Sequence, residues 1–79
     1  MKLQNTKNME NVKGYRLRGM GFDYMMNANL ELVAQYPNVS DTVALEVLEG
    51  ENIRQMNANE IPADFIEAGW SSDQISVIY

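Results

Sequence analysis

The stretch "RLRGMGFDYMMNANL", Arg16 to Leu30, decides the fold of this chain, because two glycines interrupt it around Met20. Basic and apolar residues alternate before the glycines, and the aromatic residues Phe22 and Tyr24 recur at a spacing of two after them. A period of two is typical of a half-buried strand. Glycine adopts the positive φ angles that tight turns need. The stretch therefore predicts a β-hairpin whose turn is Gly19-Met20-Gly21.

The same glycines do not form a nucleotide-binding loop. Gly19 and Gly21 give G-x-G without the third glycine of the dinucleotide fingerprint, and no clean helix start follows them. The chain also lacks the G-K-[ST] sequence of a phosphate-binding loop. The glycines are therefore interpreted as turn residues.

A first helix is predicted after the hairpin. Leu30 and Val33 share a helical face, and Met26 extends that face by one turn. Asn27 or Asn29 can cap its start. The helix should end before Pro37, because the residue that precedes a proline leaves the α region.

The segment of residues 40–49 fits two structures. Val43, Leu45 and Val47 alternate as in a strand, whereas Ser40 as N-cap and Gly50 just past the end would frame a short helix. The β-branched valines favour the strand. Residues 49–51 would then form a turn, and a return strand would run from residue 52 to residue 56.

A second helix and a last strand complete the prediction. Asn59 can cap the helix, Pro62 falls in its first turn, and Gly69 can close it. The alternating residues 75–79 predict a strand. We therefore predict an α+β domain over residues 11–79, with a small mainly antiparallel sheet in the order β-β-α-β-β-α-β and two helices on one face. We expect residues 1–10 to form a flexible or loosely held basic arm, and an all-α fold is the alternative.

An internal repeat is a further possibility that the sequence raises. "MNAN" occurs at residues 26–29 and again at residues 56–59, thirty residues apart. At the same offset Tyr15 and Leu17 correspond to Leu45 and Val47. A duplicated strand–turn–strand–helix unit would explain this spacing. Coincidence in a chain rich in asparagine and methionine would explain it equally well.

The composition argues against catalysis. The chain of 79 residues has neither histidine nor cysteine, which removes the commonest general base and the thiol nucleophile. Zinc held by carboxylates alone is rare in structural sites. We therefore expect a non-catalytic protein without metal or cofactor. No apolar run approaches the ~20 residues of a membrane span, and the polar N-terminus lacks a secretory signal, so we expect a cytoplasmic location.

Charge is distributed unevenly along the chain. The net charge is −5. Residues 1–18 hold five basic residues and one acidic residue, whereas residues 19–79 hold one basic residue and ten acidic ones. An acidic body would repel nucleic acid and attract a basic protein surface. The same charge would also serve solubility alone.

The candidate binding residues are acidic, with one tryptophan beside them. Glu60, Asp64 and Glu67 repeat at helical spacing. A second group near a turn holds Glu46, Glu49 and Glu51, and Trp70 follows the second helix. We hypothesise a non-catalytic acidic interaction module. More specifically, it is a small inhibitor or decoy that occupies the basic, nucleic-acid-binding surface of a larger protein, as mobile-element counter-defence proteins do. No direct nucleic-acid or membrane binding is predicted.

An alternative comes from a family resemblance. Met20-Gly21-Phe22 resembles the M-G-F loop of ubiquitin-associated domains, and Asn38-Val39 with Val43 and Leu48 resembles the opening of their third helix. The resemblance implies a small three-helix adaptor whose loop contacts ubiquitin. Such an adaptor would bind its partner through apolar contacts at Met20, Phe22 and Trp70.

Overall fold

A computed structural model describes residues 12–79, so the predicted basic arm of residues 1–10 lies outside the described residues. The described part contains a five-stranded antiparallel sheet and two α-helices. The predicted α+β class with a mainly antiparallel sheet is therefore confirmed. The strands are β1 (Gly14–Arg18), β2 (Phe22–Asn27), β3 (Leu32–Pro37), β4 (Ile53–Gln55) and β5 (Ile75–Ile78), and the helices are α1 (Asp41–Val47) and α2 (Ala63–Glu67).

The predicted hairpin is present and joins β1 to β2. The two strands pair from Gly14 opposite Asn27 to Arg18 opposite Asp23. The amide of Gly19 donates a hydrogen bond of 2.8 Å to the Phe22 carbonyl, and Gly21 has a φ of 90°. The Gly-Met-Gly stretch is therefore a turn between strands. The three-helix fold implied by the family resemblance, and the all-α alternative with it, are wrong.

The strand order is β3-β2-β1-β5-β4, so the last strand lies inside the sheet between β1 and β4. The side chains of Ile75, Val77 and Ile78 in β5 are almost completely buried. Their burial from both sides explains why the end of the chain reads as an apolar run rather than a clean alternation.

The segment predicted as the first helix is instead strand β3. The Asn27 side chain accepts hydrogen bonds from the amides of Asn29 (2.9 Å) and Glu31 (3.0 Å). Asn27, which was predicted to cap a helix, therefore stabilises a tight turn between two strands. Leu30 has a φ of 66°, an angle that no right-handed helix contains. The register places one extra residue, Val33, on β3 opposite the step between Met25 and Met26. This bulge disturbs the period of two and leaves a spacing that resembles a helix.

The segment favoured as a strand is instead helix α1. The Ser40 hydroxyl accepts a hydrogen bond of 3.4 Å from the Val43 amide at the start of the helix. Ala44 and Leu48, one turn apart, are buried against Met25 and Ile78. The strand preference of the valines is weak, and packing of an apolar helix face outweighs it.

The second helix is present but shorter than predicted. Residues Ala58–Glu60 form a separate 3₁₀ turn, Ile61 and Pro62 are extended, and α2 begins only after Pro62. Gly69 closes α2 as predicted, with a φ of 95°. The Gly69 amide donates a 3.0 Å hydrogen bond to the Ile66 carbonyl, and the Trp70 amide donates one of 3.0 Å to the Phe65 carbonyl. This pair of bonds is the Schellman motif.

The two helices lie on opposite faces of the sheet, whereas the prediction placed both on one face. On one face, which we call the open face, Phe65 of α2 packs with Tyr15, Leu17, Ile75 and Val77. On the other, which we call the closed face, Ala44 and Leu48 of α1 pack with Met25 and Ile78. Successive residues of a strand point to opposite faces, and both sets are apolar. Each face therefore needs its own cover.

The MNAN repeat does not correspond to a repeated structural unit. The first copy joins two strands, and the second joins a strand to the 3₁₀ turn before α2. At the same offset, Tyr15 lies in a strand and Leu45 in a helix. What the copies share is local, because Asn27 and Asn57 both start a turn that a following glutamate helps to close.

Candidate functional site

A groove of about 590 Å³ lies on the open face between α2 and the β2–β3 part of the sheet. Its volume is within the range of small-molecule and peptide-sized sites. The lining is mainly apolar and comes from β1, β2, the β2–β3 turn, β3 and the segment that ends α2. The lining includes Leu17, Tyr24, Met26, Leu30, Leu32, Ala68 and Trp70.

The groove exists because α2 covers only half of the open face. Phe65 packs its ring edge-on against Tyr15 of β1, with ring centroids 5.4 Å apart. The helix has five residues and ends at the Gly69 turn, so it does not extend over β2 and β3. On that side Leu32 stays 58% exposed and Phe22 45% exposed. An apolar surface therefore remains open beside the helix.

Trp70 forms one wall of the groove. The Schellman turn fixes its backbone directly after α2, and its ring meets Tyr24 edge-on at 5.8 Å. The side chain is partly buried against the Tyr15–Phe65 cluster, so it has both a structural contact and an accessible surface. Met20, at the tip of the hairpin, is fully exposed at the groove mouth.

Leu30 lines the groove from a strained backbone position. A left-handed conformation is uncommon for a bulky side chain, yet Leu30 adopts a φ of 66° where glycine or asparagine would fit more easily. Its side chain packs at the edge of the open-face cluster. Such outliers concentrate at binding sites, so Leu30 marks the groove as a place where side-chain identity matters.

The groove lining is mainly apolar and carries one negative side chain. Among its described lining residues Asp64 is the one charged side chain. Residues 12–79 contain three arginines, and each forms an ion pair: Arg16 with Asp41, Arg18 with Asp23, Arg54 with Glu60. This leaves seven acidic side chains and Lys13 in that range without an ion-pair partner there. Acidic side chains therefore outnumber basic ones in the described part of the chain, and one of them, Asp64, lines the groove.

The structure separates the acidic residues that the sequence singled out. Asp64 and Glu67 lie on α2, whereas Glu46 lies on α1 across the sheet. Glu49 and Glu51 are in the loop that follows α1. The predicted stripe of three is interrupted, because the residue at its start, Glu60, belongs to the 3₁₀ turn.

Glu60 is engaged within the fold. It accepts a hydrogen bond of 2.6 Å from Arg54 and another of 3.0 Å from the Asn57 amide. The bond from Arg54, followed by the one from the Asn57 amide, lowers the pKa of Glu60. Its negative charge is thus largely balanced by Arg54.

A polar cluster that sequence analysis missed lies at the hairpin end of the closed face. Asp23 is completely buried and accepts two hydrogen bonds from Arg18 at 2.9 and 2.8 Å. It accepts two more, at 2.9 Å each, from the Asn38 side chain and the Val39 amide. Burial opposes ionisation, but these hydrogen bonds outweigh it and lower the pKa of Asp23 to about 2. The cluster ties the hairpin to the segment that leads into α1.

Sequence reasoning found one wall of the groove and missed its floor. Trp70 was predicted as a binding residue and lines the groove with Asp64. Met26, Leu30 and Leu32 were assigned to a helix, so their convergence on the open face was not anticipated. The sequence does contain a pattern that indicates this arrangement: apolar residues stand on both sides of the Asn27 turn, as in two adjacent strands joined by a hairpin.

Comparison with known proteins adds no relative: the chain matches no family model, no curated protein and no solved structure. Within residues 12–79 no group of three or more acidic side chains is arranged to hold a metal ion. No helix in this part of the chain has the length and apolar character needed to cross a membrane.

Proposed function

We propose that the chain is a non-catalytic protein-interaction module that binds a partner segment in the groove of the open face. The observation that supports this proposal most directly is the apolar half-sheet that α2 leaves uncovered beside Trp70. Exposed apolar surface of this kind marks interaction sites in folded proteins. The partner segment carries apolar anchors for the groove and flanking lysine or arginine residues for Asp64 and Glu67.

A binding role fits the chemistry of the lining better than catalysis. The groove lining offers one carboxylate, the amide of Gln74, the hydroxyl of Tyr24 and the indole N–H of Trp70, and otherwise apolar or backbone groups. It contains no imidazole or thiol, because the chain has neither. The absence of cysteine also suits a reducing compartment, and we place the protein in the cytoplasm.

The affinity expected of such a groove is moderate. Burial of one large apolar side chain contributes roughly 1.5–3 kcal/mol, and association itself costs at least about 4 kcal/mol. Four anchors at the upper value leave about 8 kcal/mol after the smallest association cost, so the tightest Kd expected of such a segment is about 1 μM.

The hypothesis of a charge decoy remains a prediction. The excess of acidic side chains supports a basic partner surface, and an inhibitor that competes with nucleic acid there would use it. The acidic residues do not form one surface, however, because Glu46 and Asp64 lie on helices at opposite faces of the sheet. Glu60 is also paired with Arg54. We therefore assign primary recognition to the groove and a supporting role to charge.

Selection from a random peptide library displayed on phage tests the proposal. Wild-type protein serves as bait, and each enriched peptide is then measured against Leu32→Asp and Val33→Asp. These neighbours on β3 have similar exposures of 58% and 52%, but only Leu32 lines the groove. We expect peptides that combine apolar and basic residues, with at least about tenfold weaker binding to Leu32→Asp alone. Equal binding to both variants would contradict the proposal.

A further inference from the structure

We infer that the occupant of the groove is an amphipathic helix of about three turns, lying beside α2 across β2 and β3. This inference rests on the proposed function and specifies the class of partner. The helix places its apolar face on Tyr24, Met26 and Leu32 and its lysine or arginine residues toward Asp64. The partner segment thus supplies the element that the open face lacks.

The width of the uncovered surface fits one helix. Neighbouring strands lie about 4.8 Å apart, so β2 and β3 with the margin beside them present a strip roughly 10 Å wide. A helix with its side chains has a diameter of about 10–12 Å. On the other half of the same face α2 already covers β1 and β5 in this manner, through Phe65. A second helix would complete the layer.

The length of the strip sets the length of the partner helix. β2 runs from Phe22 to Asn27, six residues, or roughly 20 Å of extended chain. An α-helix of about 12 residues has the same length. Over that distance an amphipathic helix presents apolar residues at i, i+3 or i+4, and i+7, so about three anchors of one helix would face the groove.

An extended partner strand fits the site less well. The sheet edge beside the groove is β3, and its register is broken by the extra residue Val33. Pro37, at the end of the same strand, has no amide to donate. Bulges and prolines are features that protect an edge from strand addition. Side chains therefore enter the groove from above the face rather than from a sixth strand.

A second copy of the chain is also a poor occupant. The net charge is −5, and the α2 side of the groove carries Asp64 with Glu67 three residues later. Pairing two such surfaces brings like charges together, which opposes association. A basic amphipathic helix meets the same surface with opposite charge.

Two synthetic peptides of about 12 residues and identical leucine and lysine content test the inference. One places leucine at helical spacing, and the other alternates leucine with lysine. Binding to the full chain is followed by the emission of Trp70, the only tryptophan in the sequence. Circular dichroism of the complex reports the conformation of the peptide. Leu32→Asp and Val33→Asp serve as the groove variant and its matched control.

We expect the helical-period peptide to bind at least about tenfold tighter than the alternating one, to gain helix on binding, and to lose affinity with Leu32→Asp but not with Val33→Asp. Tighter, Leu32-dependent binding of the alternating peptide would overturn the helix inference and leave the proposed function intact. Failure of both peptides to saturate a Leu32-dependent site below about 1 mM would contradict both proposals. Replacement of every lysine by glutamate should weaken the helical peptide, and unchanged binding would overturn the role of Asp64.

Discussion

The two faces of the sheet are covered to different degrees. On the closed face, α1 buries Met25 and Ile78 completely, and the buried Asp23 fixes the segment that leads into the helix. On the open face, α2 covers β1 and β5 but leaves Leu32 more than half exposed. The helix thus covers the apolar side chains in the middle of the closed face, whereas the open face keeps an apolar groove beside its helix.

In the described part of the chain, five of the six large apolar side chains that stay exposed lie in the hairpin turn, β2 or β3, and the sixth, Ile66, lies on α2. A domain of this size buries a modest fraction of its surface and has little stability to spare. Leaving half of one face open therefore forgoes stabilisation that a longer second helix would provide. Phe22 and Leu32 lie exposed on the β2–β3 half of the open face, which supports the proposal that this half is the binding surface.

The largest expected effect separates the faces directly. Met25→Ala removes a completely buried side chain and should lower the free energy of unfolding by about 2–5 kcal/mol. Leu32→Ala removes a side chain that is 58% exposed and should change it by less than about 1 kcal/mol. Urea denaturation of the two variants measures both values. Similar losses for the two would show that the open face is as much a part of the core as the closed face.

A pH titration of stability probes the polar cluster of the closed face. The pKa of Asp23 falls from 3.8 to about 2 on folding, so its contribution is present above about pH 4 and is lost as the pH falls through 2. The shift corresponds to roughly 2 kcal/mol. Urea denaturation between pH 2 and pH 6 should show this loss in the wild type and a shallower one in Asp23→Asn. Parallel curves for the two proteins would show that ionisation of Asp23 does not contribute to stability.

Two left-handed residues allow a matched comparison of the regions. Glu49→Gly relieves a φ of 57° in an exposed residue and should stabilise the protein by about 1 kcal/mol. Leu30→Gly relieves a φ of 66° but also removes a groove side chain, so we expect a smaller gain together with weaker binding of the helical peptide. Thermal denaturation and Trp70 emission measure the two effects. Unchanged binding by Leu30→Gly would show that Leu30 is only a turn residue.

The smallest effect is expected at the exposed ion pair near the β4 edge. The side chains of Arg54 and Glu60 are 41% and 35% exposed, so solvent screens their attraction. Glu60→Gln should cost only about 0.5 kcal/mol, and salt should reduce the difference from the wild type. Urea denaturation at low and high salt checks both statements. A loss above about 2 kcal/mol would mean that the pair organises the fold.

The local signals in the sequence predicted the hairpin, the Gly69 helix end and the last strand. The hairpin turn at Gly21 and the helix end at Gly69 depend on positive φ angles that glycine permits, and such positions can be recognised from one residue type. The identity of β3 and α1 was not readable, because it depends on partners distant in sequence. The strand at Val33 requires pairing with β2, and the helix at Ala44 requires the apolar surface of Met25 and Ile78.

The same reason limited prediction of the site. Trp70 and Asp64 were recognised from residue type and helical position. The floor of the groove combines Tyr24, Met26 and Leu32, and these become neighbours only once β2 and β3 pair. A binding surface on a sheet face is therefore hidden from any argument that assigns one of its strands to a helix.

We propose that partners bind the uncovered half of the open face. A nuclear magnetic resonance titration of labelled wild-type chain with the helical leucine–lysine peptide tests it most directly. We expect saturable amide shifts at Tyr24, Met26 and Leu32 and at the Trp70 indole, with Ala44 in α1 unaffected. Shifts centred on α1 and the loop of residues 49–51, or spread over the acidic residues without saturation, would contradict the claim.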